Sequence, residues 1–544
     1  MPQGPERGKR VPPADDVKPP PPSAATAQLG FGVFGVALVV RVAYVLSIRH
    51  AIFFDHLQTE PQRYDEWAAA IVSGAAPVRP PFDEAPGYPY LLALLYALFG
   101  RSVLVVTVAQ SLLDAGTCAA IAAVGVRLSG ARAGLIAGGL AAVYGPLIYF
   151  TGQLEPATLT AFAVSVALYA TPGSDEGTAR HWSLAGVAWT LALLVRTEIV
   201  VALPLLLFHA WRCGRGRALG RIAAAPAALL AASLAINLIS SHHVVALTTG
   251  SGVNLWLGNN ALADGVNPFV HGPLDAVARG VEAQTHDAVE ADTLFRSHAF
   301  AFFREQPARA AHLAVRKLVW TFSDRELPNA SDIEWQVAHS WLFRLRILPL
   351  RFGALLPIAL AGALMFRGSR RRWLFLAAPV VVGLSVCVVF FTNARFRLVF
   401  APSLLVLGGL AIDRLIDLRP AWRSNAGPLR LAASGVLLGV LAAWSNFEGV
   451  RTYRIPQISV NTAEHERQAG NVSGAVAHLR LAVEADPEDA GTWIALALTL
   501  EQSDRGAEAE ATWRRALDLF PGDLRTHSEA ARFFRQRDRG GGTP

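Results

Sequence analysis

The stretch FFDHLQTEPQRYDEWAAAIVSGAAPVRPPFDEAPGYPY, residues 53–90, follows the first long apolar run, and its reading decides the rest. It carries the carboxylates Asp55, Glu60, Asp65, Glu66, Asp83 and Glu84 among mostly apolar neighbours. An acidic segment at the end of an apolar run is either a solvated connector or a reaction site. The placement of the other apolar runs decides between them.

The 544 residues are 52% hydrophobic and only 17% charged, with a mean hydropathy of +0.34. Soluble domains carry about a quarter charged residues, so the composition points to a multi-span membrane protein. The expected fold is all-α, with apolar runs near 29–48, 103–127, 131–150, 156–171, 182–195, 198–211, 220–240, 349–366, 373–391, 398–416 and 429–446. That makes about eleven transmembrane helices for a hydrocarbon core of roughly 30 Å. The net charge of +7 comes from basic residues in short loops, without a recognition motif, which argues against a nucleic-acid partner. Cys118, Cys213 and Cys387 show no pairing or zinc-ligand spacing. Residues 1–28, rich in Pro and charge, read as a disordered cytoplasmic tail.

Basic loops favour the cytoplasmic side. With the N-terminus inside, the clusters Arg127/Arg132, Arg212/Arg215/Arg217/Arg221, Arg367/Arg370/Arg371/Arg372 and Arg414/Arg419/Arg423/Arg430 all fall inside. Counting residues 87–99 as a span would reverse this. As a helix they reach only about 20 Å, so they read as an interfacial or re-entrant segment. The outer face then receives residues 49–102, the turn at 151–155, a long loop at 241–348 and everything after about residue 447. Within the membrane domain, 29–448, the acidic opening stretch lies outside.

Residues 456–538 change character. Pro487 and Pro521, Ala475 and Ala509, and Ala482 and Ala516 recur at the tetratricopeptide spacing of 34 residues, with Trp493 at an aromatic position. A helical repeat domain is expected there, packed on the membrane domain or on a protein partner.

Several outer-face residues carry chemistry. Glu60 and Asp65 flank Tyr64; Pro61 suggests that Glu60 ends a turn and Asp65 begins a helix. Either carboxylate suits a proton acceptor, and either also suits a helix cap. Glu155 lies between two apolar runs, where an acid usually faces a cavity. Arg196, Arg395 and Arg397 lie on the face where arginine is less expected; their forked donors suit phosphate, or lipid headgroups. The loop VNLWLGNNALADGVNPF, 253–269, offers Asn259 and Asn260 to a sugar or diphosphate, or simply makes a tight turn. Asp83 and Glu84 are the candidate oxygen ligands of a divalent metal ion, or acceptor contacts.

The order of these features resembles the bacterial GT-C membrane glycosyltransferases of the protein O-mannosyltransferase or aminoarabinose-transferase type (glycosyltransferase family 39-like). The resemblance covers about residues 30–450. It rests on YDEWA (64–68), APGYPYLLALLYALFG (85–100), Gln153-x-Glu155, GVNLWLGNN (252–260), RKLVWTFSDRELPN (316–329) and ARFRLVFAP (394–402). It implies a transferase that uses a polyprenyl-phosphate-linked sugar donor on the extracytoplasmic face of the bacterial inner membrane, with a protein, lipid or glycan acceptor. By position, it assigns the catalytic acid to Glu60, where relatives more often have Asp, with Asp65 in reserve. Glu155 becomes the second acid, Arg196, Arg395 or Arg397 the donor-phosphate contact, and Tyr64, Asn259 and Asn260 the substrate contacts. Many members also end in tetratricopeptide repeats. One departure stands out: relatives have a basic residue or His directly before Pro in the first loop, whereas this chain has Glu84-Ala85-Pro86. Two other classes fit the composition, a membrane scaffold that presents repeats to an envelope complex and a lipid-linked-saccharide transporter. The scaffold would tolerate loss of Glu60 and Asp65, and the transporter would line several spans with polar residues.

Overall fold

The computed structural model describes residues 24–75, 82–173, 177–270, 273–328, 331–345, 350–365, 370–418, 426–503 and 505–540. Most of the expected N-terminal tail, together with Arg367, Arg419 and Arg423, lies outside the described residues. The last residues assigned to that tail are already helical. Helix α1, Ala24–Ile48, is followed by a short α2, Ile52–Asp55, then α3, Thr59–Ser73, and α4, Gly87–Phe99. Helix α3 corrects one local expectation: Glu60 lies in its first turn and Asp65 in its interior.

The architecture is an all-α, polytopic membrane fold. Among the described residues there is no strand, only an isolated bridge between Tyr144 and Leu350. Four stretches are long and apolar enough to cross a bilayer alone: 28–48, 103–129, 216–241 and 426–444. Shorter apolar helices pack between them. Helix α5, Val103–Ser129, crosses α6, Ala131–Ala142, where Gly125 meets Gly134; a Cβ on Gly125 would come within 2.9 Å of the Gly134 Cα. Small residues let apolar helices approach this closely.

The run expected as one span over 131–150 is broken. Helix α6 stops at Ala142, and α7, Gly145–Phe150, restarts at Pro146. The backbone groups freed at the break are taken by Leu350: its N–H donates to Val143 O at 2.6 Å, and its carbonyl accepts from Gly145 at 2.9 Å. A break at membrane depth is tolerated only with such partners.

Helix α8, Ala157–Ala170, and α9, Ala179–Val195, lead through a 3-10 turn, Thr197–Ala202, into α10, Leu203–Ser241. The sequence suggests two spans here with a basic loop over 212–221; the structure is helical throughout. A straight helix would set His209 and Ile222 about 20 Å apart. Yet the His209 ring is 5.8 Å from Trp182, and the backbone carbonyls of Arg221 and Ile222 face Gly186, one turn further along α9. The path of α10 therefore doubles back between these residues.

The next segment holds α11, Ser251–Gly258, α12, Pro273–Gln284, α13, Ala288–Glu305, α14, Pro307–Thr321, α15, Ile333–Ala338, and α16, Trp341–Arg344. Then come α17, Phe352–Met365, α18, Arg370–Val389, the short α19, Ala394–Arg397, α20, Ala401–Leu418, and α21, Ala426–Trp444. The tail forms α22, Pro456–Gln468, α23, Val472–Ala485, α24, Ala490–Gln502, α25, Gly506–Leu519, and α26, Leu524–Gly540. Helix α22 packs on α23 and α24 on α25, burying Ala475, Ala482, Ala509, Trp513 and Ala516.

Polar contacts sort to the two ends of the bundle. At one end Arg127 donates to the carbonyls of Leu168 and Tyr169, and Arg132 pairs with Asp413 and Asp417. At the other end the 82–87 segment meets the 249–250 turn, through Thr249 N–H to Phe82 O at 2.9 Å and Gly250 N–H to Asp83 O at 3.0 Å. Between the ends, fully buried, Arg41 of α1 pairs with Asp114 of α5 at 2.7 Å. The apolar character of both runs hid this pair in the sequence.

Candidate functional site

Helix α3 supplies the first carboxylate. Its N-terminal turn starts at Thr59, whose φ of +54° is a left-handed conformation uncommon for a β-branched residue. Glu60 and Tyr64 are separated by four residues and share a face. Asp65 points elsewhere: five helical residues turn the side chain by about 140°. It accepts from Tyr96 Oη at 2.5 Å and from Arg101 Nε at 3.1 and 3.2 Å. The structure thus gives Asp65 an anchoring task between α3 and α4, away from Glu60.

Arg395 meets Glu60. The four-residue helix α19 is capped by the Asn393 side chain, which accepts from Phe396 N–H at 3.1 Å. The preceding strand-like stretch is held by Thr392 N–H on Gly265 O and Ala394 N–H on Leu327 O. Arg395 donates from both terminal nitrogens to Glu60, one bond at 3.1 Å, and lies 3.8 Å from Glu155. One buried guanidinium therefore joins a carboxylate of α3 to one from the turn before α8. Burial opposes its charge, but Glu60 and Glu155 hold the Arg395 pKa above the usual arginine value. Arg397 is two residues on and faces the other way. It pairs with Glu326 at 3.5 Å, donates to Trp320 O at 3.0 Å and covers the Phe352 ring. Of these two candidate phosphate contacts, Arg395 meets Glu60 and Glu155, whereas Arg397 meets Glu326.

Glu155 is placed by a polar relay. Tyr88 Oη donates to Gln110 Oε1 at 3.0 Å, and Gln110 Nε2 donates to the carbonyls of Thr151 and Gln153 at 3.0 and 2.8 Å. This fixes the turn that ends in Glu155. Burial, opposed by Arg395 and reinforced by Glu60, pushes the Glu155 carboxyl up to about 7. Glu155 Oε2, Gln153 Nε2, Thr158 Oγ1 and Arg395 Nε are buried without a hydrogen-bond partner. Such groups each cost on the order of 1–3 kcal/mol; Glu155 and Arg395, 3.8 Å apart, each contribute one, which fits a site built for a polar guest.

Arg196, just after α9, pairs with Glu198 at 3.0 Å and lies 4.8 Å over the Phe396 ring, whose centroid is 5.2 Å from Arg395. One aromatic ring thus neighbours both guanidinium groups. Glu60, Tyr64, Asp83, Glu84, Arg196 and Arg395 line one cavity of about 110 Å³. A second cavity of about 430 Å³ shares Glu60, Asp83, Glu84, Gly250 and Asn254. On the far side of Arg395 and Glu155 lies a larger, mainly apolar cavity of about 770 Å³, walled by Tyr149, Phe150, Ile333, Val337, Phe343 and Leu350. Glu326 lines it, and burial pushes that carboxyl up to about 7, against the pull of Arg397.

Glu84 lies beside Ala85, the departure point noted in the sequence. It accepts from Tyr64 Oη and from Arg63. Burial, then the charge of Glu60, raises its pKa. Asp83 is half-exposed, 3.4 Å from the same Arg63. With a guanidinium already between them, Asp83 and Glu84 do not fit the expected metal site, because a divalent cation needs several free oxygen ligands. Among the described residues no group of three His, Cys, Asp or Glu side chains stands together as a metal site.

Asn259 and Asn260 have structural tasks. Asn259 donates to Leu255 O and Val389 O and accepts from Lys317 Nζ at 2.8 Å. Asn260 donates to Trp256 O and accepts from Leu262 N–H. Their amides hold the 259–262 turn against α14 and α18, which is the alternative reading of an Asn-rich loop. Asn254 and Glu198 were not singled out for this site; both line it.

Residues 83–242 match the family model described as dolichyl-phosphate-mannose-protein mannosyltransferase. The resemblance to the GT-C membrane glycosyltransferases holds. The matched stretch holds Asp83, Glu84, Glu155 and Arg196. No curated protein matches the sequence. Among solved structures, the oligosaccharyltransferase AglB from Archaeoglobus fulgidus, in complex with an inhibitory peptide and a dolichol-phosphate, is 15% identical with a TM-score of 0.41. That match covers 78% of this chain and 55% of AglB, so the chain spans little more than half of that protein. ArnT from Cupriavidus metallidurans bound to undecaprenyl phosphate is 16% identical with a TM-score of 0.38, covering 90% of this chain and 80% of ArnT. Apo ArnT is 18% identical with a TM-score of 0.39 and the same coverage.

Proposed function

We propose that this chain is an integral-membrane glycosyltransferase. It moves a sugar from a polyprenyl-phosphate-linked donor to a protein, lipid or glycan acceptor on the extracytoplasmic face of a bacterial inner membrane. The observation that carries the reading is the buried Arg395 between Glu60 and Glu155, in a cavity shared with Arg196 and Tyr64. The description of the family model supplies the donor class.

Glu60 takes the proton from the acceptor as the bond to the anomeric carbon forms. The polyprenyl phosphate leaves with the electron pair of the broken bond, and its charge is met by Arg196. Arg196 has one carboxylate partner, whereas Arg395 has two and serves to hold Glu60 in place. Glu155, protonated below about pH 7, then keeps the donor side from gathering a second negative charge. Tyr64 orients Glu84, which lines both polar cavities and precedes the Ala85 that stands where relatives have a basic residue. The tail helices, read as tetratricopeptide repeats on the same face, recruit the acceptor or a partner protein.

The test is incubation of the purified protein with polyprenyl-phosphate sugars and measurement of released polyprenyl phosphate. Loss of a proton acceptor costs about 10²–10⁴-fold in rate; Glu60→Ala should fall in that range while keeping a cooperative thermal unfolding transition. Release by the wild type with none of the donors, or undiminished release by Glu60→Ala, would sink the reading.

A further inference from the structure

The C-terminal helices reach back to the segment that carries Glu60. On α22, His465 donates from Nε2 to the backbone carbonyl of His56 at 2.9 Å. Its ring stacks on Trp335 at 5.8 Å with an interplanar angle of 10°. The next residue, Glu466, accepts from Trp335 Nε1 at 2.7 Å. The Phe53 ring of α2 sets its edge against Trp335 and against His339. Trp335 is therefore a junction of α2, α15 and the first tail helix.

The link from His56 to Glu60 is short and poorly secured on its own. Thr59 holds a positive φ, and Gln58 Oε1 and Thr59 Oγ1 are buried without hydrogen-bond partners. A strained conformation persists only where its surroundings over-determine it. Here the surroundings are two pins: His465 upstream on the His56 carbonyl and Arg395 downstream on the Glu60 carboxylate. The downstream pin belongs to the membrane domain and the upstream one to the tail.

We infer that His465 and Glu466 are positioning residues for Glu60, so that the tail is a working part of the transfer site. This rests on the proposed role of Glu60. His465 acts through the backbone at His56, and Glu466 through Trp335. Because α15 also contributes Ile333, Val337 and Ala338 to the wall of the 770 Å³ cavity, the same clamp holds both sides of the Arg395 divide. A partner that shifts α22 would move the Glu60 segment and the cavity wall together.

The experiment compares His465→Leu, which removes the donor, with His465→Gln, whose amide nitrogen can replace Nε2. Trp335→Phe keeps the ring and removes the N–H to Glu466. A small misplacement of a catalytic group costs up to about 10²-fold. His465→Leu should lower kcat by about tenfold with donor KM within about twofold, and His465→Gln should restore most of it. Trp335→Phe should fall between them. Amide hydrogen exchange over residues 56–62 in the full chain gives the second readout: faster in His465→Leu, near wild type in His465→Gln. Unchanged exchange in His465→Leu overturns the inference whatever the activity. So does a His465→Gln protein as impaired as His465→Leu, or a wild-type kcat in His465→Leu. Undiminished turnover in Glu60→Ala instead overturns the assignment of Glu60, and the exchange result then stands apart from it.

Discussion

At the scale of single residues, proton occupancy of Glu155 governs how much negative charge surrounds Arg395. The carboxyl is neutral below about 7 and ionised above it. Ionisation places a second full charge on the cation and repels an anionic donor. At short range and an effective dielectric near 20, such a charge is worth a few kcal/mol, so donor KM should rise by about tenfold or more between pH 6 and 8.5. Glu155→Gln should abolish that rise in a pH series of initial rates; an unchanged profile would discard the role. Linkage gives a second sign. The folded carboxyl binds its proton more tightly than the unfolded one, so its contribution favours the folded state at low pH and fades as pH climbs through about 7. Asp65 offers the contrast. Its partner Arg101 is largely exposed, which limits the worth of the pair to about 1 kcal/mol. Asp65→Asn should therefore lower stability slightly and leave kcat within about threefold, since it is remote from the proton transfer. The separation of Glu60 from Asp65 was not read from the sequence, because Pro61 placed the helix start after Glu60, whereas α3 begins at Thr59 and carries both. Nor was the pairing of Glu60 with Arg395, because nothing local links residues so far apart in the chain.

At the scale of elements, the apolar runs predicted helix positions well, since burial in lipid demands both length and low polarity. They were less informative where a run contains a break. The interruption at Val143–Tyr144 depends on Leu350, a residue from a distant loop that satisfies the exposed backbone. The path of α10 gives a direct measurement. Spin labels at Leu205 and Leu238 would be about 50 Å apart on a straight helix. A doubled path brings them to less than half of that, and a distance distribution centred near the larger figure would refute it. Helix α11 makes a second case. A Cβ on Gly258 would overlap the Phe390 carbonyl, just ahead of the segment that carries Arg395. Gly258→Ala should destabilise by about 1–3 kcal/mol, as overpacking does, seen as a lower midpoint in thermal unfolding. The sequence showed Gly258 only as part of a turn-like pattern; its close approach to residue 390 is a tertiary fact.

At the scale of the whole molecule, the candidate site and the tail sit at the same end of the bundle, while Arg127, Arg132, Asp413 and Asp417 mark the other. Charge bias in the sequence expects these two ends on opposite sides of the membrane, because short basic loops favour the inner face. A membrane-impermeant thiol reagent should label Ser73→Cys and Ser528→Cys from one side of sealed vesicles and Asp417→Cys from the other, in a background lacking the native cysteines. Labelling of Ser73→Cys and Ser528→Cys from opposite sides would break the connection between tail and site.

The buried pair of Arg41 and Asp114 bears on how the protein is made. Each helix alone presents one full charge to lipid, an arrangement with a cost of several kcal/mol for an unpaired ion. The charges cancel only when α1 and α5 lie side by side, with Arg41 also donating to the Ala141 carbonyl of α6 at 2.9 Å. Since the two residues are 73 positions apart, the first helix is made well before its counter-charge, and its charge is met only once the second has been synthesised. Replacing either partner alone would strand the other in hydrocarbon, so its damage would appear during biogenesis, as retained or degraded chains, before any finished enzyme could be assayed.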